Sequence, residues 1–190
     1  MPASAVVRAL TLARTACGLD DFGIRLSELR SLSNLGALSL LARDEPTVGQ
    51  ALQVIIAYLA LHNDALLITV TRSNDVAIVR CRLSVPDPAM QGTETAVGML
   101  FRILRQLLGQ DWRAECVHFT RPPPIDPSPF RKVFGTLQFG AEFDGIVMDA
   151  AILDRPNRMA DETLRPFAMQ LLRLPDPGDT RTMSHRVRHV

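Results

Sequence analysis

The chain has 190 residues, 47% hydrophobic and 22% charged, with a formal net charge of +1 at neutral pH. Its length favours one domain that buries about 70% of its unfolded surface without staples. The near-zero charge gives no reason to expect nucleic acid or an anionic membrane as a direct partner, and three widely spaced cysteines (Cys17, Cys81, Cys116) argue against a disulfide framework. The first residues lack a signal-peptide pattern, and the longest apolar run, VIIAYLAL, is far short of the ~20 residues a membrane span requires. A cytoplasmic chain with no membrane partner is the expectation.

Residues 3–16 place Val6, Val7, Leu10 and Ala13 at helical spacing, and DDFGIRLSELRSL predicts a brief helix interrupted by Gly23. A clear helix opens at Thr47, with Val48, Ala51, Leu52, Ile55 and Leu59 on one face, and is expected to stop near His62-Asn63-Asp64. The period then changes to two. ALLITVTR and DVAIVRCRL flank Ser73-Asn74 as the arms of a hairpin, with Ala77, Val79, Cys81 and Leu83 on one face and Arg80 and Arg82 on the other. Pro86 and Pro88 lead into the strongest helix, carrying Val97, Leu100, Phe101, Leu104, Leu107 and Leu108, with Arg102, Arg105 and Gln106 turned away and Gly109 as a left-handed cap.

ECVHFT alternates as a strand, Val117 and Phe119 against Cys116, His118 and Thr120. Five of the thirteen prolines then fall within the eight residues 122–129, where they end the strand and fix a sharp exit. Asp126-Pro127 reads as an N-cap and first helical residue for a two-turn helix with Phe130, Val133 and Phe134 on one side. TLQFG and DGIVMD predict a second hairpin. Residues 161–172 predict a last amphipathic helix bearing Leu164, Phe167, Ala168, Leu171 and Leu172, and 173–190 a basic linker. The order favours a single-domain α+β fold over residues 1–172, an antiparallel or mixed sheet packed with several amphipathic helices, rather than a repeating βαβ unit.

No nucleophile elbow, phosphate-binding loop or Cys-x-x-Cys motif is present. His185 and His189 stand four apart in HRVRH without a third ligand nearby, so no metal or cofactor is expected. The polar residues near pocket-forming elements are His62, Arg80, Arg102, His118 and Arg121. Each also suits surface or strand-edge hydrogen bonding, and for His62 a helix C-terminus is itself a favourable place. Cys116 and His118 share a strand face, so a small cysteine-dependent enzyme stands as an alternative, beside a stand-alone oligomerisation module. Phe130 and Phe134 form an aromatic cluster beside a rigid turn.

Gly109 with Trp112, Val117 with Phe119 and Pro124, Pro129-Phe130 with Phe134-Gly135, Phe139 with Ala141, and Leu153 with Pro156 together form a pattern over residues 3–172. It resembles the N-terminal effector domain, often labelled arabinose-binding-like, of AraC-type transcriptional regulators. The family pattern has a histidine where this chain carries Thr120 or Arg121. The resemblance implies a domain without catalytic activity that binds a small effector of unknown identity, dimerises, and modulates DNA binding by a C-terminal helix-turn-helix domain. No such domain is matched here, so DNA is expected as a partner only through a missing segment, and the chain is expected to be an excised or truncated sensory unit. Candidate effector contacts are His62, Arg80, Arg102, His118, Arg121, Phe130 and Phe134.

Overall fold

A computed structural model describes residues 2–59, 65–85 and 89–160. Six helices are present in that span: α1 (Ala3–Cys17), α2 (Phe22–Glu28), α3 (Ala37–Asp44), α4 (Val48–Tyr58), α5 (Met90–Leu108) and α6 (Ser128–Phe134). Five strands, β1 (Leu66–Ser73), β2 (Val76–Leu83), β3 (Cys116–Phe119), β4 (Leu137–Phe139) and β5 (Gly145–Asp149), form one sheet in the order β1-β2-β5-β3-β4. The fold is α+β with a mixed sheet, since β3 and β4 run parallel and every other pairing is antiparallel. None of the described helices is long and apolar enough to cross a membrane. The expected helix at 161–172, the linker beyond it, and His62 lie outside the described residues.

The helix expected to open at Thr47 has that residue as its N-cap, the Thr47 hydroxyl accepting the Gln50 N–H at 3.3 Å. On α5 the predicted stripe is buried along its whole length, and this helix lies across the inner face of the sheet. Gln106 is not turned to solvent, because its side-chain oxygen accepts the Leu32 N–H at 2.9 Å. Gly109 ends α5 at φ +106° and ψ 153°, a positive-φ extended conformation rather than a left-handed helical one.

Four further expectations require correction. Gly23 does not interrupt a helix. It sits in the first turn of α2, where a Cβ would lie 2.4 Å from the Gln91 carbonyl oxygen, so its bare backbone lets α2 rest on α5. The hairpin turn is Asn74-Asp75, one residue later than read, because Ser73 pairs with Val76 and Asn74 takes the positive φ (+48°) that asparagine tolerates. The short helix starts at Ser128 rather than at Pro127, although Asp126 still accepts the Ser128 N–H at 2.9 Å.

The second hairpin does not form. β3 inserts between β4 and β5, and α6 carries the chain from β3 to the parallel β4. In that register Phe119 stacks on Phe139 (centroids 5.7 Å, interplanar 24°), while Phe130 and Phe134 close on Phe119 from α6. A β4–β5 hairpin would forfeit this aromatic layer, each member of which buries 150–250 Å² of surface in a typical core. A further helix, α3, and the 3₁₀ turn Leu32–Leu35 before it lie in a stretch where no element was expected.

Candidate functional site

The two faces of β3 hold different chemistry. Val117 and Phe119 point into the core, whereas Cys116 and His118 point to the outer face, which carries no helix among the described residues. Register places Arg80 of β2 and His118 of β3 on either side of Gly145 of β5, in one row that continues to Thr69 and Gln138. Gly145 is demanded by a close approach: a Cβ there would lie 2.3 Å from the Val79 carbonyl oxygen. Phe143 covers the row. Its ring centroid is 4.8 Å from the Arg80 guanidinium carbon and 4.8 Å from the His118 ring centre.

The polar groups of this row differ in how the protein satisfies them. The Arg80 side chain makes no hydrogen bond or ion pair among the described residues, its ring contact with Phe143 aside. Asp144, next to Phe143, turns both carboxylate oxygens onto Thr120, accepting from its N–H and its hydroxyl at 2.9 Å each. Burial holds the His118 imidazole below its ordinary range, and its Nδ1 is enclosed without a partner among the described residues. Cys116 directs its thiol at the Val117 carbonyl oxygen (3.8 Å), and burial pushes its pKa up, which opposes nucleophile activation.

Arg121, Phe130 and Phe134 belong to a second group beneath the sheet. The Arg121 guanidinium pairs with Glu94 of α5 and lies 5.9 Å over the Phe130 ring. Both phenylalanines are wholly buried and belong to the aromatic layer. Glu94 is 1% exposed, and burial, outweighing Arg121, pushes its pKa up to about 7; its Oε2 has no partner among the described residues. Arg102 joins neither group, since its Nε donates to the Arg30 carbonyl oxygen at 2.7 Å.

Between α2 and the proline-rich corner runs a groove of about 320 Å³, lined by Asp21, Ile24, Arg25 and Glu28 on one side and by residues from Asp126 to Val133 on the other. Asp21 is buried there and accepts from Arg25 at 2.9 Å. Among the described residues no group of three or more His, Cys, Asp or Glu side chains could hold a metal ion.

Sequence reasoning missed Glu94, Phe143 and Asn157. Glu94 had a signal, a carboxylate on the same stripe as Val97 and Phe101. Asn157 had none: its buried amide donates to the carbonyl oxygens of Ala42 and Arg43 at 3.1 Å and of Glu45 at 2.9 Å, clamping the segment that follows the sheet onto the end of α3.

Comparison with known proteins gives these groups a context. The chain is similar to HTH-type transcriptional regulator VirS of Mycobacterium tuberculosis, in strains CDC 1551/Oshkosh and ATCC 25618/H37Rv, at 29% identity over 98% of this chain and 56% of the relative. It therefore spans little more than half the length of the curated relatives it matches. In fold it is similar to the crystal structure of transcriptional regulator CdpR from Pseudomonas aeruginosa, with a TM-score of 0.67 and 21% identity, over 78% of this chain and 50% of that one. Residues 1–157 match the family described as the arabinose-binding domain of AraC transcription regulators, N-terminal. With most of its length inside that match, the chain belongs to the family of AraC-regulator N-terminal domains.

Proposed function

We propose that this domain is the sensory half of an AraC-type transcriptional regulator. It binds a small effector, pairs with a second copy of itself, and biases DNA binding by a helix-turn-helix domain elsewhere in the regulator. The observation that carries this reading is the alignment of 98% of the chain with 56% of an HTH-type regulator.

An effector shifts such a protein only by binding one arrangement more tightly than another. A coupling of ~1–3 kcal/mol changes operator affinity about 5- to 150-fold. Dimerisation would set two DNA-reading units on half-sites about one helical turn apart. The net charge of +1 suits a domain whose partner segment supplies the phosphate contacts. A cytoplasmic location and the lack of catalytic activity belong to the same reading. Of the candidate effector contacts, Arg80 and His118 lie half-buried on the outer face of the sheet, whereas Phe130 and Phe134 would act from the core by shaping the layer behind Arg121 and Glu94.

The test is a thermal-shift screen against metabolites together with sedimentation of the same protein. A true effector at 100 times its dissociation constant adds ~2.7 kcal/mol of stability. A protein that stays monomeric and is stabilised by no metabolite, or that turns a substrate over, overturns the proposal.

A further inference from the structure

Among the described residues, two polar groups in the row Thr69–Arg80–Gly145–His118–Gln138 have no hydrogen-bond partner, the Arg80 guanidinium and Nδ1 of His118. The Arg80 guanidinium carbon lies over the Phe143 ring, 4.8 Å from its centroid. With no hydrogen-bond partner among the described residues, its N–H groups remain available for an acceptor, and their fork matches a carboxylate. On the other side of Gly145, Nδ1 of His118 is enclosed with no partner among the described residues, which leaves Nε2 as the ring nitrogen that a ligand on the outer face would meet. Burial favours the neutral imidazole, which has one nitrogen to donate and one to accept. Asp144 does not compete for Arg80, because Thr120 occupies both of its oxygens. Alongside runs an apolar row, Ile78, Val147 and Cys116, half-buried on the same outer face.

We infer that this row is the effector subsite and that its ligand is a small planar carboxylate, held by Arg80 through the carboxylate, by His118 through a polar substituent, and by Phe143 and the apolar row through its flat body. Arg80 repels a cationic ligand. The inference rests on the effector-binding reading above and names the chemistry of the site.

Benzoate serves as the probe and benzyl alcohol as the same ring without the charge, each titrated into the ¹⁵N-labelled chain. Benzoate is expected to give saturable shifts centred on Thr69, Arg80, His118, Gln138 and Gly145, and benzyl alcohol none. Arg80→Gln should weaken benzoate at least ~10-fold, and Arg80→Lys, which keeps the charge but loses the fork, should fall between. His118→Leu, on a different strand, provides a second variant should Arg80→Gln fail to give a dispersed spectrum. It is expected to weaken a benzoate bearing an ortho hydroxyl more than benzoate itself.

Shifts centred on the groove between α2 and Val133, equal responses to the two probes, unchanged affinity in both Arg80→Gln and His118→Leu, or no saturable shift in the millimolar range each overturn the subsite. These results leave the sensory reading standing if the metabolite screen finds a ligand. An empty screen removes that reading independently.

Discussion

Gly98→Ala probes the contact that holds α2 on α5. A Cβ at Gly98 would lie 2.2 Å from Ser27 Oγ and 2.5 Å from Ser27 Cβ, where ordinary contact begins near 3.4 Å. Ser27 cannot simply turn aside. It is completely buried, and its hydroxyl donates to the Ile24 carbonyl oxygen at 2.6 Å. Alanine gains ~1 kcal/mol over glycine in helix propensity. Against that, overpacking costs ~1–3 kcal/mol, and losing the buried hydroxyl bond costs about 1 more. The net expectation is a destabilisation of about 1–3 kcal/mol. Urea unfolding followed by far-UV circular dichroism should show a lowered midpoint with the slope unchanged. Ser27→Gly removes both clashing atoms, so the double variant should recover at least ~1 kcal/mol relative to the sum of the single changes. Gly98→Ala as stable as the parent, or strict additivity in the double variant, would refute the close-contact reasoning. The perturbation also reaches the candidate site, because α2 carries one wall of the groove and α5 carries Glu94.

Three other outcomes follow from particular residues. Burial raises the folded-state pKa of Glu94 to about 7 from an ordinary 4.5, so its contribution to stability is full below the lower value and is lost as pH rises through the higher one. Glu94→Gln should therefore flatten the decline of melting temperature over that window. The difference from the parent is the readout, because His118, held below its ordinary range, contributes the opposite slope; identical profiles would sink the assignment. Asn157→Ala should cost ~1–3 kcal/mol in urea unfolding by leaving the α3-end carbonyls without their donor. A loss below ~0.5 kcal/mol would remove its role as a clamp. In alkylation near neutral pH, mass spectrometry should find the exposed Cys17 modified first, Cys116 more slowly, and Cys81, pushed up to about 12 by burial, protected until unfolding. Cys116 reacting fastest would instead support thiol chemistry.

The elements that the sequence announced are those with a strong local period. The stripe of α5, the alternation of β1 and β2, and Thr47 at the start of α4 stand where side-chain spacing put them. The stretch before Thr47 was harder to read, because α3 is only eight residues long and starts at Gly36, whose side chain can supply no cap. The neighbours of β3 were also beyond reach of local pattern. TLQFG and DGIVMD look like adjacent arms, yet the aromatic layer of Phe119, Phe130, Phe134 and Phe139 decides the pairing, and it forms only when α6 folds back.

The candidate site divides in the same way. Sequence alone identified Arg80 and His118 as polar residues on strands with one wet face, and the proline corner with Arg121 as a rigid junction. Tertiary structure decided that Arg80 meets His118 across Gly145 under Phe143, and that Arg121 reaches a buried Glu94. The physical reason is range. A period of two or 3.6 residues is set by neighbours along the chain, whereas strand order and register are set by which distant faces exclude the most water together.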